Sequence, residues 1–247
     1  MGMKLQEIFN HLTYGELSQI SIGGSEAGII KEADYPRVLS HISLGLNALY
    51  KRFYLKEGIV NIRFLSHQTD YKLDSLYAVS NVGSTVPFKH ILDSGSPFID
   101  DVLKVEKVLT DAGFELELND SSDEYSVITP NTLSLRIPKK IVAQGFDLPD
   151  VYKTASFEVY YRAKHPRIEP EDVDPEMIEV ELPDSYLEAL LYFVASRVNN
   201  PIGMVGEFNA GNNYSAKYEL ACKQLEMLNL HVDRGVQNTR LHSKGFV

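Results

Sequence analysis

Two helical apolar patterns, one at each end of the chain, flank a long middle that alternates apolar and polar residues in strand fashion. This arrangement limits the fold more than any other feature. An amphipathic helix does not leave its apolar stripe in water, and the opening helices find no equally regular apolar partner before the last quarter of the chain. The ends are therefore expected to meet in space. The expected fold is α+β: a four-helix bundle formed by both termini, a β-rich insert built as a small sandwich or barrel, and an extended C-terminal tail.

The pattern divides the chain into four parts. Residues 1–57 hold helices one and two of the bundle. In the first helix Leu5, Ile8, Phe9 and Leu12 recur at helical spacing, and Thr13-Tyr-Gly-Glu16 has the form of a capping box, which predicts a kink or restart there. The second starts at Asp34 and Pro36 and carries Tyr35, Val38, Leu39, Ile42, Leu46, Leu49 and Phe53 until Gly58 stops the pattern. Between them the glycines from Gly23 to Gly28 read as a hinge, because the lysine and hydroxyl of a phosphate-cradling loop are missing.

Residues 58–182 form the insert and its acidic linker. Strands are expected over 59–65, 103–109, 114–118, 133–137 and 157–161, the last three alternating strictly. Thr110-Asp-Ala-Gly113 is short enough for a hairpin loop, and prolines 87, 97, 130, 138, 149 and 166 exclude long helices. From Glu169 to Glu181 there are seven acidic residues and no basic one, a density that repels itself and favours an extended chain. Residues 183–230 hold helices three and four. Ser185-x-x-Glu188 has the form of a capping box for the third, whose apolar surface is Leu187, Leu190, Leu191 and Val194 and whose end is Asn199-Asn200-Pro201. The fourth is expected from Tyr214 to Leu230, on Tyr214, Tyr218, Ala221, Leu225 and Leu228.

Residues 231–247 are the tail. Arg234, Arg240 and Lys244 against Asp233 give it +2, leaving −12 on the other 230 residues of a chain that carries −10 overall. It lacks a helical period yet ends in Leu241 and Phe246-Val247, apolar groups that gain from burial. A frayed terminus is the plain reading; a docking arm ordered by a partner is the sharper one.

Composition narrows the functions. The acidic balance opposes broad wrapping of nucleic acid, whose affinity comes from lysine and arginine neutralising phosphates. A single cysteine, Cys222, allows no internal disulfide, and a buried inert thiol is its expected state. Without a disulfide the fold does not depend on an oxidising compartment, which favours assembly inside a cell, and the absence of a long apolar run and of a secretory start favours a soluble, untargeted chain with no membrane span. The seven histidines show no metal-ligand spacing. Asp100-Asp101 and Glu171-Asp-Val-Asp174 lack the glycine turn and terminal glutamate of a calcium loop, and Asp93-Ser-Gly-Ser-Pro97 reads as a turn rather than a nucleophile elbow. No cofactor, metal or catalytic residue is expected. Two alternatives stay open: a wall-degrading enzyme with a carboxylate pair brought together by folding, and a carbohydrate- or receptor-binding module presenting Tyr71, Tyr77, Tyr152, Tyr160 and Tyr161.

Helix pair, β-rich insert, helix pair and extended tail together resemble the head-to-tail adaptor proteins of short-tailed bacteriophages, the tail-tubular type that forms a ring beneath the portal. The likeness is carried locally by Leu182-Pro-Asp-Ser-Tyr-Leu-Glu-Ala-Leu-Leu191, Gly211-Asn-Asn-Tyr-Ser-Ala-Lys217, Thr239-Arg-Leu-His-Ser-Lys-Gly-Phe-Val247 and Tyr160-Tyr-Arg-Ala-Lys-His-Pro166. The insert is longer and more acidic than in the smallest members. The resemblance implies a viral structural protein of the virion neck, assembled in the host cytoplasm. It implies a homo-oligomeric ring, expected as a dodecamer, that joins the portal protein to the tail nozzle or next tail component and passes DNA through its channel. On that reading Arg234, Arg240, Leu241, Lys244, Phe246 and Val247 make the portal contact.

Overall fold

A computed structural model describes residues 2–18, 30–66, 68–145, 148–168, 174–198 and 205–228. The elements in chain order are β1 (Met3–Lys4), α1 (Leu5–Tyr14), α2 (Tyr35–Arg52), β2 (Glu57–Arg63), β3 (Asp70–Lys72), β4 (Ile91–Leu92), β5 (Val102–Thr110), β6 (Glu115–Leu116), β7 (Ile128–Asn131), β8 (Ser134–Arg136), α3 (Lys139–Ala143), β9 (Ser156–Ala163), β10 (Glu179–Val180), α4 (Leu187–Val198) and α5 (Val205–Met227). The fold is mixed α+β. The described residues up to Leu55 and from His165 onward make one compact unit, and residues 56–164 make another.

In the helical unit, helices from the N- and C-terminal regions pack on one apolar core. Leu5, Ile8 and Leu12 of α1, Val38, Ile42 and Leu49 of α2, Leu190 and Val194 of α4, and Ala221, Cys222 and Leu225 of α5 all belong to it. Each fully buried leucine or isoleucine stabilises by roughly 1.5–3 kcal/mol relative to exposure. Gly45 fixes how close α2 and α4 come: a Cβ there would stand 2.6 Å from Leu190 Cδ1 and 3.0 Å from Phe193 Cδ1. Glycine weakens a helix interior by about 1 kcal/mol relative to alanine, and the close approach is what it permits. At the end of α2, Arg52 donates to Glu226 at 2.7 Å and to Glu219 at 2.8 Å, so one cation holds two turns of α5. Tyr50 donates its hydroxyl to the carbonyl of Glu181. β1 and β10 pair antiparallel, Met3 opposite Val180, and the amide of Leu5 donates to the carbonyl of Ile178, tying the end of the acidic stretch to the start of α1.

Helix limits differ from the sequence expectation in four places. Thr13 lies inside α1, which runs through to Tyr14, so there is no restart; the amide of Gly15 bonds back to His11 and ends the helix. α2 stops at Arg52, because Phe53 is extended and buried, and Gly58 lies in β2. Ser185 and Glu188 form no capping box: a single 3-10 turn over Asp184–Tyr186 precedes α4, and Glu188 accepts from the Tyr192 hydroxyl at 2.8 Å instead. α5 begins at Val205, nine positions before the expected start, through a stretch rich in glycine and asparagine that has no apolar period. Leu228, expected on its stripe, is exposed.

The insert consists of two separate antiparallel sheets, of order β4-β2-β9-β5-β6 and β3-β8-β7. No pairing among the described strands closes either into a barrel. β9 is central, in register with β2 from Glu57↔Arg162 to Arg63↔Ser156 and with β5 through two irregularities. Its pattern has one buried face, Phe157, Val159, Tyr161 and Ala163. The β5–β6 connection is the expected hairpin, with Gly113 at φ +78 and its amide on the Thr110 carbonyl. Tyr71, Leu135 and Ile137 share the insert core with Val60, Val108 and Phe157.

Candidate functional site

The six tail residues expected at the portal, Arg234, Arg240, Leu241, Lys244, Phe246 and Val247, lie outside the described residues, as do Gly23 to Gly28 and residues 169–173 of the acidic stretch. Other singled-out groups have definite places. Cys222 is fully buried, and burial pushes its thiol up, so it is poorly ionised. Asp100 and Asp101 face different partners, the Ser75 amide and hydroxyl and the Tyr161 hydroxyl respectively. The five tyrosines of the binding-module alternative do not gather on one face; only Tyr71 and Tyr77 meet, both against buried His90. Tyr71 and Tyr161 are core residues, Tyr77 stacks on His90, Tyr152 stacks on Tyr125, and Tyr160 takes Lys107 over its ring. Among the described residues no group of three or more His, Cys, Asp or Glu could hold a metal ion.

Two surfaces stand out. The first is the 73–100 segment of the insert, largely irregular in backbone but densely hydrogen-bonded. The Asp93 carboxylate accepts from the Ser80 amide at 2.9 Å, the Ser80 hydroxyl and the Phe98 amide at 2.9 Å. Burial pushes this carboxyl up, yet those bonds outweigh it and hold the group below the usual carboxylate range. Asp100, at φ 58, accepts from Ser75, and Asn81 donates to the Ser75 carbonyl. Underneath, His90 is fully buried, stacked on Tyr77 at 4.8 Å and edge-on to Tyr71 at 5.2 Å. Its Nε2 meets the Lys72 carbonyl at 2.8 Å and its Nδ1 has no partner, so the ring is neutral with the proton on Nε2. Burial depresses its proton affinity. This held segment leaves Leu76, Val82, Phe88 and Ile99 half or more exposed.

The second surface lies on the helical unit. Arg37 and His41 are one turn apart on α2, and Phe193 packs against Gly45, one turn further on. Arg197 lies over the Phe193 ring at 5.3 Å, and Phe193 meets Tyr218 of α5 edge-on at 5.3 Å. A groove of about 350 Å³ opens here, lined by Phe193, Ser196, Arg197, Ser215, Tyr218 and Glu219. Glu219 is committed to Arg52. Neither Arg37 nor Arg197 has a carboxylate partner among the described residues, in a chain whose net charge is −10. Burial and then the charges of Arg37 and Arg197 lower the proton affinity of His41, whose Nδ1 is buried without a partner.

Neither surface was read from sequence. Ser75, Ser80, Asp93 and Asp100 carry no spacing signature, and Arg37 and Arg197, on different helices at opposite ends of the chain, carry none either. Comparison with known proteins adds no family: no protein-family model matches the chain, and no curated protein matches it.

Proposed function

We propose that this protein is a structural adaptor of the head-to-tail type found in short-tailed phages, a ring-forming virion component with no catalytic role. The observation that carries the reading is the division of the chain. The outer segments condense on one core while the middle keeps its own, which is the arrangement implied by the family that the sequence resembles. In this reading the helices make the body of the ring and neighbouring copies pack through them. The two insert sheets pack as a small sandwich, and the exposed Leu76, Val82, Phe88 and Ile99 receive the tail nozzle or next tail component. The acidic body repels the phosphates of passing DNA, so the channel wall does not hold them. The basic, apolar-ended tail docks on the portal, with Arg234, Arg240 and Lys244 pairing with acidic groups and Leu241, Phe246 and Val247 filling pockets.

The test is co-sedimentation of the full chain and of a chain lacking residues 232–247 with purified portal, followed by electron microscopy of the bound fraction. Annular particles on the portal from the full chain, lost on deletion, are expected. Binding unchanged by the deletion removes the docking role of the tail, and no binding by the full chain removes the adaptor reading.

A further inference from the structure

We infer that the Arg37–Arg197 face of one copy takes the acidic turn at 174–177 of a second copy, forming a head-to-tail contact between identical chains. The turn is built to be presented. Asp174 accepts from the Glu176 amide at 3.0 Å through its side chain and from the Met177 amide at 3.0 Å through its carbonyl, and Pro175 is buried beneath with its carbonyl taking the Gln6 amide. This leaves Asp174 and Glu176 exposed in the same turn as Met177, which is 75% exposed. Two exposed carboxylates and a protruding thioether match two arginines that act together on His41, one of them over the Phe193 ring. The carboxylates pair with Arg37 and Arg197, and the sulfur meets Phe193 and Tyr218, contacts that methionine makes favourably. The exposed Leu44, three positions after His41 on α2, adds apolar area beside them.

The two surfaces belong to different edges of one helical unit. The turn is tied to the start of α1, whose far end lies against Leu191 of α4, whereas the arginines sit where α2 meets Phe193. Because the mating surfaces differ, the contact is heterologous, and repeating it yields a closed ring or an open array according to the rotation per copy. The contact gives neighbouring copies of the proposed ring their mating surfaces and rests on that reading, but it requires no portal, so the portal experiment and the one below fail separately.

Sedimentation of the full chain over a wide concentration range, at low and high salt, tests it. The wild type associates, and salt weakens the association because exposed charges are screened. Arg37→Glu with Arg197→Glu, and separately Asp174→Lys with Glu176→Lys, each weaken it by about tenfold or more. Mixing the two reversed proteins restores association between them. As an independent readout, a Leu44→Cys copy and a Met177→Cys copy cross-link to each other through a short bis-maleimide, while Cys222 stays protected by burial. Association indifferent to both reversals, a mixture that stays apart, or a wild type that is monomeric throughout overturns the contact.

Discussion

The shared core of the outer segments is most directly probed at Gly45 and Leu190, which come from opposite parts of the sequence. Leu190 is fully buried and its Cδ1 occupies the hollow that Gly45 leaves. Leu190→Ala removes that atom and leaves a cavity, at a cost of about 3–4 kcal/mol. Gly45→Ala alone gains about 1 kcal/mol of helix propensity but drives a methyl to 2.6 Å from Leu190 Cδ1, and overpacking of that kind costs about 1–3 kcal/mol. The net is a loss of about 1 kcal/mol. In the double variant the clash partner is gone. Only Phe193 Cδ1 at 3.0 Å must give way, and the new methyl fills part of the cavity. The double variant is then less destabilised than the sum of the singles by about 2 kcal/mol. Native-state hydrogen exchange of α2 and α4 amides in urea reads this unit without requiring the whole chain to unfold in one step. Additivity within about 0.5 kcal/mol would refute the close packing of α2 on α4, and with it the argument for a common core.

The insert is predicted to lose stability in acid through His90. Its folded proton affinity lies below the ordinary value of 6.5, so the unfolded chain takes the proton first. Stability is complete above that value and falls as pH drops through and below it. Exchange of insert amides measured from about pH 7.5 to about pH 5 shows this slope, and His90→Gln flattens it while lowering stability at neutral pH; an unchanged slope contradicts the assignment. The helical unit is predicted to fold without the insert: replacing 57–163 by a short glycine-serine linker preserves its helical circular dichroism and a cooperative melt. A molten or aggregated product would show that the core of the outer segments is incomplete by itself.

The legible parts of this fold were those with a strong period. Val38, Leu39, Ile42, Leu46 and Leu49 all reached the core at the predicted spacing, and Phe157, Val159 and Tyr161 all faced one side of β9. Local capping signatures misled because they compete with packing. Thr13 stands in the last turn of α1, where the Gly15 amide bonds back to His11 and the Leu17 amide to Leu12, so the chain closes the helix there and buries Leu17 beyond its end without a new start. The early start of α5 was hidden because residues 205–213 carry few apolar groups from which a period is read. The 73–100 loop was hidden for a different reason. Its order comes from Ser75 with Asp100 and Ser80 with Asp93, pairs 25 and 13 positions apart that only the fold brings together.

The point at which the chain passes between its two units explains how both can be stable. β2 begins at Glu57 and β9 ends at Ala163, and Glu57 lies opposite Arg162 in their antiparallel ladder. The entry and exit of the insert are therefore neighbours, about 5 Å apart between Cα atoms. An insertion whose ends lie that close closes a short gap in the host and asks little distortion of it. Sequence change within 73–100 then acts on hydrogen bonds and apolar groups confined to the insert, leaving Leu190, Ile42 and Leu12 untouched. Stability of the helical unit and the make-up of the exposed loop are carried by disjoint sets of residues, so the loop can change in sequence while the helical core keeps its packing.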